Sequence, residues 1–156
     1  MIRGAAAIIF FLCSMQASAA CNLPLIAGEY SLFLKWDDTG YEGAVVGKLD
    51  VASGGRAVLR GAKLTYRNQY GNLTNREGSA VGRMGIAPQC TGVLELSLTD
   101  RNLEAEVAVV SANFAISGGR VDTTMSGLAN VDIKLPGDQV LKSKLLGSLI
   151  LQRLNL

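Results

Sequence analysis

The chain has 156 residues, with 15 basic and 13 acidic side chains and no histidine. Because the charges nearly balance and are spread singly along the chain, they provide no electrostatic footprint for nucleic acid or an anionic membrane. The lack of histidine removes the commonest general base near neutral pH and the commonest metal ligand, so neither a Ser-His-Asp nor a Cys-His arrangement can be built.

The first 20 residues have the features of an export signal. Arg3 supplies a positive charge, residues 5–12 form an apolar run, and residues 17–19 read Ala-Ser-Ala, a small-residue cleavage pattern. A membrane-spanning helix takes about 20 residues, so this run is too short to be one. We predict a signal peptide over residues 1–20, a single domain over residues 21–156 without a transmembrane segment, and a periplasmic or secreted location.

Two cysteines remain after this segment is removed, because Cys13 leaves with it. An even count in an oxidising compartment favours one disulfide, between Cys21 and Cys90. Such a bridge would leave no thiolate for a zinc site. The alternative is a lipid anchor on Cys21, since residues 18–21 read Ser-Ala-Ala-Cys, although the leucine usual three positions before a lipidated cysteine is missing.

Strand patterns begin at Gly28. Apolar residues at positions 30, 32, 34 and 36 alternate with mostly polar neighbours, which predicts a half-buried strand. A turn follows at residues 37–40, Asp-Asp-Thr-Gly. Residues 42–51 and 56–66 predict the second and third strands, joined by a Ser-Gly-Gly hairpin turn at residues 53–55. The apolar phase slips at Gly61, where we expect a bulge.

The middle of the chain continues the same pattern. A loop over residues 68–75 precedes a fourth strand over residues 79–84, and leucines at positions 94, 96 and 98 predict a fifth strand. A turn at residues 99–102 follows. The segment from 103 to 116 shifts phase near Val109, which predicts one long bulged strand or two short ones.

Two segments complete the chain. After a turn at residues 117–119, residues 120–133 alternate clearly and predict another strand. The end, beyond a Pro-Gly-Asp turn at residues 136–138, is ambiguous: leucines at positions 141, 145, 146 and 149 fit helical spacing, whereas Gly147 and Ser148 weaken a helix. We favour a closing strand over residues 147–154 and keep a C-terminal helix as the alternative.

Seven or eight strands joined mostly by short turns predict an all-β fold. The phase slips favour an antiparallel up-and-down β-barrel of about eight strands over a flat sheet, and closure removes exposed sheet edges. A β-sandwich is the alternative, since the same alternation and turn spacing would serve it.

Residues 82–92, Gly-Arg-Met-Gly-Ile-Ala-Pro-Gln-Cys-Thr-Gly, resemble the pattern Gly-Thr-Tyr-x-Val-x-x-Asp-Cys-Thr-Gly of a family of small exported bacterial domains without an assigned activity. The positions that coincide are Gly82, Cys90, Thr91 and Gly92. Met84 replaces the aromatic residue and Gln89 replaces the acid. The resemblance implies a calycin-like barrel, similar in shape to lipocalins and allene oxide cyclases. It implies no reaction, since that shape hosts binders and enzymes alike.

Large side chains on the apolar faces would line the interior of such a barrel. These are Tyr30, Trp36, Tyr66, Phe114 and Met125. An eight-stranded barrel is just wide enough either to be filled by side chains or to hold one small ligand. The five residues therefore predict a packed core or a site for a small apolar ligand.

Two groups of charged residues have a functional and a structural interpretation. Arg60, Lys63 and Arg67 lie close together near the end of the third strand, with Arg83 beside them if strands three and four pair. They predict either an anion-binding mouth or scattered solvated charges. The acidic pairs at positions 37/38 and 104/106 predict a turn and a solvated face.

No catalytic set, metal site or cofactor site is recognisable. We therefore expect a non-catalytic binding or structural role, with a small apolar or amphipathic ligand or a protein as partner and no nucleic acid. The alternative is a cofactor-free isomerase or cyclase that uses a buried carboxylate or tyrosine, for which Glu29 and Tyr30 are the candidates.

Overall fold

Buried and exposed side chains alternate along the strands of this protein. The structure is a computed structural model that describes residues 21–38, 40–118, 122–135 and 139–154. In the first strand, the side chains at positions 30, 32, 34 and 36 are buried, and those at 31, 33, 35 and 37 are exposed. Successive side chains of a strand point to opposite faces of its sheet. One face of each strand therefore forms the core, and the other forms the outer surface.

The elements in chain order are α1 (Leu23–Ile26), β1 (Gly28–Asp38), β2 (Tyr41–Val51), β3 (Arg56–Arg67), β4 (Leu73–Ala87), β5 (Thr91–Asp100), β6 (Ala105–Ser117), β7 (Thr124–Leu135) and β8 (Gln139–Arg153). Each strand pairs antiparallel with the next, and β8 pairs with β1, so the sheet closes into an eight-stranded barrel. The predicted up-and-down barrel is confirmed, and the sandwich alternative is wrong because no sheet edge is left open among these strands.

The last segment is a strand throughout. β8 begins at Gln139, eight residues before the predicted closing strand, and pairs with β7 on one side and β1 on the other. The helical alternative is therefore wrong. Leu145, Leu149 and Leu151 are buried in the barrel, whereas Leu146 and Ile150 point outwards.

Two of the bulges lie at or near the predicted phase slips, and others occur in the β2–β3 and β7–β8 pairings, where no slip was predicted. The pairing of β3 with β4 shifts between Leu59 and Ala62, around Gly61. The pairing of β5 with β6 shifts between Leu98 and Thr99, and β6 is a single strand. β4 is longer than predicted, from Leu73 to Ala87. Parts of the predicted turns near residues 39, 119–121 and 136–138 lie outside the described residues.

Residues 21–27, which we name the plug, close one end of the barrel. Asn22 caps the short helix α1 by accepting a hydrogen bond from the Leu25 amide, 3.1 Å away, and Ile26 is buried. A disulfide joins Cys21 to Cys90 in the turn between β4 and β5, with 5.1 Å between their Cα atoms. At the end of β8, Arg153 donates from Nη2 to the Ala27 carbonyl over 2.6 Å. The plug is thus fixed at both of its ends.

Candidate functional site

The five side chains predicted to line the interior all face into the barrel. Their exposed fractions are 0% for Tyr30 and Met125, 1% for Trp36, 4% for Phe114 and 6% for Tyr66. They belong to one continuous cluster that includes leucines, valines and alanines from all eight strands. A single buried aromatic ring of this kind withdraws about 150–250 Å² from water, so these residues stabilise the core.

Glycines make room for two of these rings. A Cβ atom at Gly43 would overlap the Trp36 indole and lie 2.6 Å from the Thr65 carbonyl oxygen. At Gly92, a Cβ atom would lie 2.7 Å from Cε2 of Phe114. Each ring therefore occupies the volume that a side chain at the paired position of the neighbouring strand would fill. Large rings packed over glycines in this way are typical of a close-packed core.

Three polar side chains of the interior are committed to structural roles or lack a partner. The buried carboxylate of Asp100 accepts hydrogen bonds from the amides of Asn102 and Leu103 in the turn before β6. The Tyr30 hydroxyl donates to the Ile26 carbonyl oxygen of the plug. Burial raises the pKa of Tyr30, an effect that the nearby Arg153 guanidinium opposes. The hydroxyl therefore keeps its proton at neutral pH. The indole nitrogen of Trp36 has no hydrogen-bond partner among the described residues.

Glu29, the second candidate for acid–base catalysis, lies on the other side of the sheet wall from Tyr30. Its carboxylate oxygen Oε2 is 2.6 Å from Nζ of Lys48 on the outer surface of β2. The side chains of Glu29 and Lys48 are 32% and 45% exposed. The structure therefore does not bring Glu29 and Tyr30 together around a common substrate position.

The basic residues of β3 also lie on the outer surface, where each faces an acid. The pairs are Arg60 with Asp50 at 3.5 Å, Lys63 with Glu77 at 3.9 Å, and Arg67 with Glu42 at 3.3 Å. Exposed pairs of this kind contribute about 0–1 kcal/mol each. Arg83 is the cross-strand partner of Arg56, at the start of β3, and of Glu95 on β5, so it lies away from Lys63 and Arg67. The anion-binding mouth is therefore not formed, and these charges solvate β2 to β4.

A partly buried polar cluster, which was not predicted from the sequence, joins β5, β6 and β7. The Glu106 carboxylate accepts hydrogen bonds from the Ser97 hydroxyl and from Lys134. Burial opposes the ionisation of Glu106, but the hydrogen bonds from Lys134 and Ser97 and the charge of Lys134 outweigh it and lower the pKa. A carboxylate with a lowered pKa is a weak base, so the cluster is suited to joining strands and not to activating Ser97.

The acidic pair at positions 104 and 106 does not share a face. Glu104 lies in the turn before β6 with φ of 51°, and Glu106 lies within the strand. No group of three or more potential metal ligands occurs among the described residues. Within the same residues, no helix has the length and apolar character needed to cross a membrane.

A broad part of the outer surface carries no charged side chain, and we name it the uncharged face. It comprises outward residues of six strands: Ser31, Phe33, Val46, Thr91, Val93, Ser111, Asn113, Ala115, Ser117, Thr124, Ser126, Leu128, Asn130, Leu146, Ser148, Ile150 and Gln152. Five charged residues border it: Lys35, Lys48, Lys63, Glu95 and Asp132. Several apolar members are well exposed, including Leu128 at 62% and Phe33 at 45%.

One row of cross-strand partners runs across the uncharged face, and the size of its side chains changes midway. Its residues are, in order around the barrel, Val46, Phe33, Ile150, Ser126, Ala115 and Thr91. Phe33 and Ile150 are large and apolar, whereas Ser126 and Ala115 are small, and the end residues Val46 and Thr91 are similar in size. We name Phe33 and Ile150 the ridge. The small half is the floor of a groove of about 730 Å³, which Val93 and Leu128 also line.

Comparison with known proteins finds no match. No family model, no curated protein and no solved structure is significantly similar to the chain. The resemblance of residues 82–92 to exported bacterial domains stays a prediction. In the structure this segment is the end of β4, the turn that carries the disulfide, and the start of β5. The search for a functional site therefore depends on the surface geometry.

Proposed function

We propose that this protein is an exported, non-catalytic binding module that recognises a protein partner through its uncharged face. The observation that carries the proposal is the contrast between the two sides of the barrel wall. The interior is filled by buried side chains, whereas the outer face exposes Leu128, Leu146 and Val93 to 62%, 53% and 48% without a charge among them. Six of the 13 large apolar side chains that are exposed among the described residues belong to this face. Exposed apolar surface without charge is typical of the centre of protein–protein contact sites.

The distribution of charge supports the choice of this face. Outward residues of β2, β3 and β4 include Glu42, Lys48, Arg60, Lys63 and Glu77, which keep that side of the barrel solvated. Interface cores are depleted of charged residues relative to the rest of a protein surface. The uncharged face has this composition, and the opposite side does not.

The placement of the candidate acid–base residues supports a role without catalysis. Tyr30 faces the core and donates a hydrogen bond to the Ile26 carbonyl oxygen, while Glu29 lies on the outer side of the wall and pairs with Lys48. A general acid and base must both reach the reacting atoms within hydrogen-bond distance. These two residues have no common space in which a substrate would meet both.

The groove favours a second candidate, a small amphipathic ligand. Its volume of about 730 Å³ lies within the range of small-molecule sites. Tryptophan in place of Ala115 on its floor occupies part of this volume, so binding of a fluorescent fatty acid should be weakened in Ala115→Trp. The matched control is Thr65→Trp on the charged side. Equal binding by both variants contradicts a ligand site in the groove.

Site-specific photo-cross-linking tests the main proposal. A photoreactive phenylalanine replaces Leu128 on the uncharged face or, as the matched control, Leu73 on the charged side, which is 58% exposed. Purified protein is irradiated together with the exported protein fraction of its host. We expect discrete protein adducts from position 128 and few from position 73. Equal yields at both positions, or none at either, would contradict a binding role for this face.

A further inference from the structure

We propose that the plug is a redox-sensitive latch. Its first half, residues 21–24, is held on the barrel by the bond between Cys21 and Cys90 and becomes mobile when that bond is reduced, while the barrel stays closed. This inference concerns a different part of the molecule from the uncharged face, so it does not depend on the proposed function. It is carried by the unequal way in which the two halves of the plug are attached.

The second half of the plug, residues 25–27, is attached by hydrogen bonds that a reductant does not affect. The Tyr30 hydroxyl donates to the Ile26 carbonyl oxygen, and Arg153 donates from Nη2 to the Ala27 carbonyl oxygen over 2.6 Å. The Ile26 side chain is buried. This half therefore stays at the start of β1 in either redox state and forms the hinge of the latch.

The first half of the plug makes its hydrogen bonds only within the plug. The Asn22 side chain and carbonyl oxygen accept from the Leu25 amide, and the Leu23 carbonyl oxygen accepts from the Ala27 amide over 2.8 Å. Among the described residues, no hydrogen bond joins residues 21–24 to a barrel strand. Isolated helices shorter than about 12–15 residues are marginal in water, so α1 does not stay folded without a tether. The disulfide is that tether.

The surroundings of the two cysteines decide which side moves when the bond is broken. The Cys90 amide donates to the Ala87 carbonyl oxygen over 3.0 Å, and the Cys90 carbonyl oxygen accepts from the Ile116 amide over 2.8 Å. Within the part of the chain that the structure describes, Cys21 makes no hydrogen bond. Cys90 therefore keeps its place in the turn between β4 and β5, and Cys21 is released.

The bond is accessible to a dithiol reductant. Both cysteines are partly exposed, and Pro88 and Gln89 beside Cys90 are exposed. A thiolate of the dithiol attacks one sulfur of the bond, and the other sulfur leaves as a thiolate that takes up a proton. The second thiol of the reductant then breaks the mixed disulfide and releases the second cysteine. In total the bond takes up two electrons and two protons, and the dithiol becomes a disulfide.

Release of the first half changes the surface at this end of the barrel. Leu23 is partly buried against the core, and its Cδ1 atom lies 3.2 Å from the position of a Cβ atom built on Gly55, in the turn between β2 and β3. When residues 21–24 move away, both the Leu23 side chain and the part of the core beneath it reach water. The reduced protein therefore presents more apolar surface at this end than the oxidised protein.

Nuclear magnetic relaxation of ¹⁵N-labelled protein, with and without dithiothreitol, tests the proposal. A rigid backbone has an order parameter of about 0.85, and a flexible one has a value below about 0.6. We expect the values of Asn22 and Leu23 to fall from the first range to the second on reduction, while Leu32 and Leu34 of β1 keep theirs. Unchanged values at Asn22 and Leu23 in the reduced protein overturn the inference. Unfolding of the barrel on reduction also overturns it.

Two variants separate the disulfide from the helix cap. In Cys21→Ser/Cys90→Ser, residues 22 and 23 should be mobile without reductant, and dithiothreitol should have no further effect. The matched control Asn22→Ala removes the cap and keeps the disulfide, so Leu23 should stay ordered in the oxidised protein. If Asn22→Ala alone makes Leu23 mobile, the cap holds this half and the redox-sensitive latch is overturned.

Discussion

Removing the disulfide is the perturbation whose effect follows most directly from the structure. Cys21 and Cys90 are 69 residues apart, and their bond closes that loop in the unfolded chain. In the chain-entropy model a loop of this length contributes about 4 kcal/mol to the free energy of unfolding. For the 136 residues after position 20, that loss lowers the melting temperature by about 15 °C. We expect this shift in the double variant Cys21→Ser/Cys90→Ser.

Calorimetry and guanidinium unfolding of the wild type and the double variant measure the effect, each with and without dithiothreitol. The reductant should bring the wild type to the stability of the variant and leave the variant unchanged. The variant should still fold, because the plug keeps the hydrogen bonds from Tyr30 and Arg153. A loss below about 1 kcal/mol, or a reductant effect on the variant, would refute the reasoning.

Two further predictions concern the core and the polar cluster. Gly43→Ala should lower the free energy of unfolding, measured in urea, by about 1–3 kcal/mol, because the new Cβ overlaps the Trp36 indole. The control Gly54→Ala, whose Cβ has no atom within 4 Å, should change it by no more than about 0.5 kcal/mol. Equal losses in the two variants would contradict a tightly filled interior. Glu106→Gln should lower the free energy of unfolding by about 1 kcal/mol at pH 7. Because the folded pKa of Glu106 is lowered, this contribution is present above the unfolded pKa of about 4.3 and is lost as the pH falls through the folded pKa. The stability difference should therefore shrink on acidification, and a constant difference down to pH 2 would show that the charge is not involved.

The barrel could be predicted from the sequence because burial alternates in nearly every strand. The slip at Gly61 marked a real bulge for the same reason, since the inward phase changes there. The start of β4 was missed because its inward positions at this end are Thr74 and Arg76, whose neighbours on β3 are Tyr66 and Leu64. Polar residues at the rim of a barrel remove the apolar alternation while leaving the strand intact.

β8 shows why the surface was harder to predict than the core. Its inward Leu145 and Leu149 alternate regularly, but the outward Leu146 and Ile150 are also apolar. The combined spacing imitates a helix. The residues that obscured the strand are therefore members of the uncharged face. The size step from Ile150 to Ser126 could not be predicted at all, because it exists only through the pairing of β7 with β8.

The even number of strands returns the chain to the end of the barrel where it started. Tyr30 is the cross-strand partner of Arg153, and the Leu154 amide donates to the Glu29 carbonyl over 2.8 Å. A linker that crosses this end over the plug could therefore join residue 154 to residue 21, which the disulfide holds at the β4–β5 turn on the opposite wall, and new chain ends could be opened in the loop over residues 68–72 at the far rim. The fold is in effect a ring of strands, and the position of its break is not fixed by the packing.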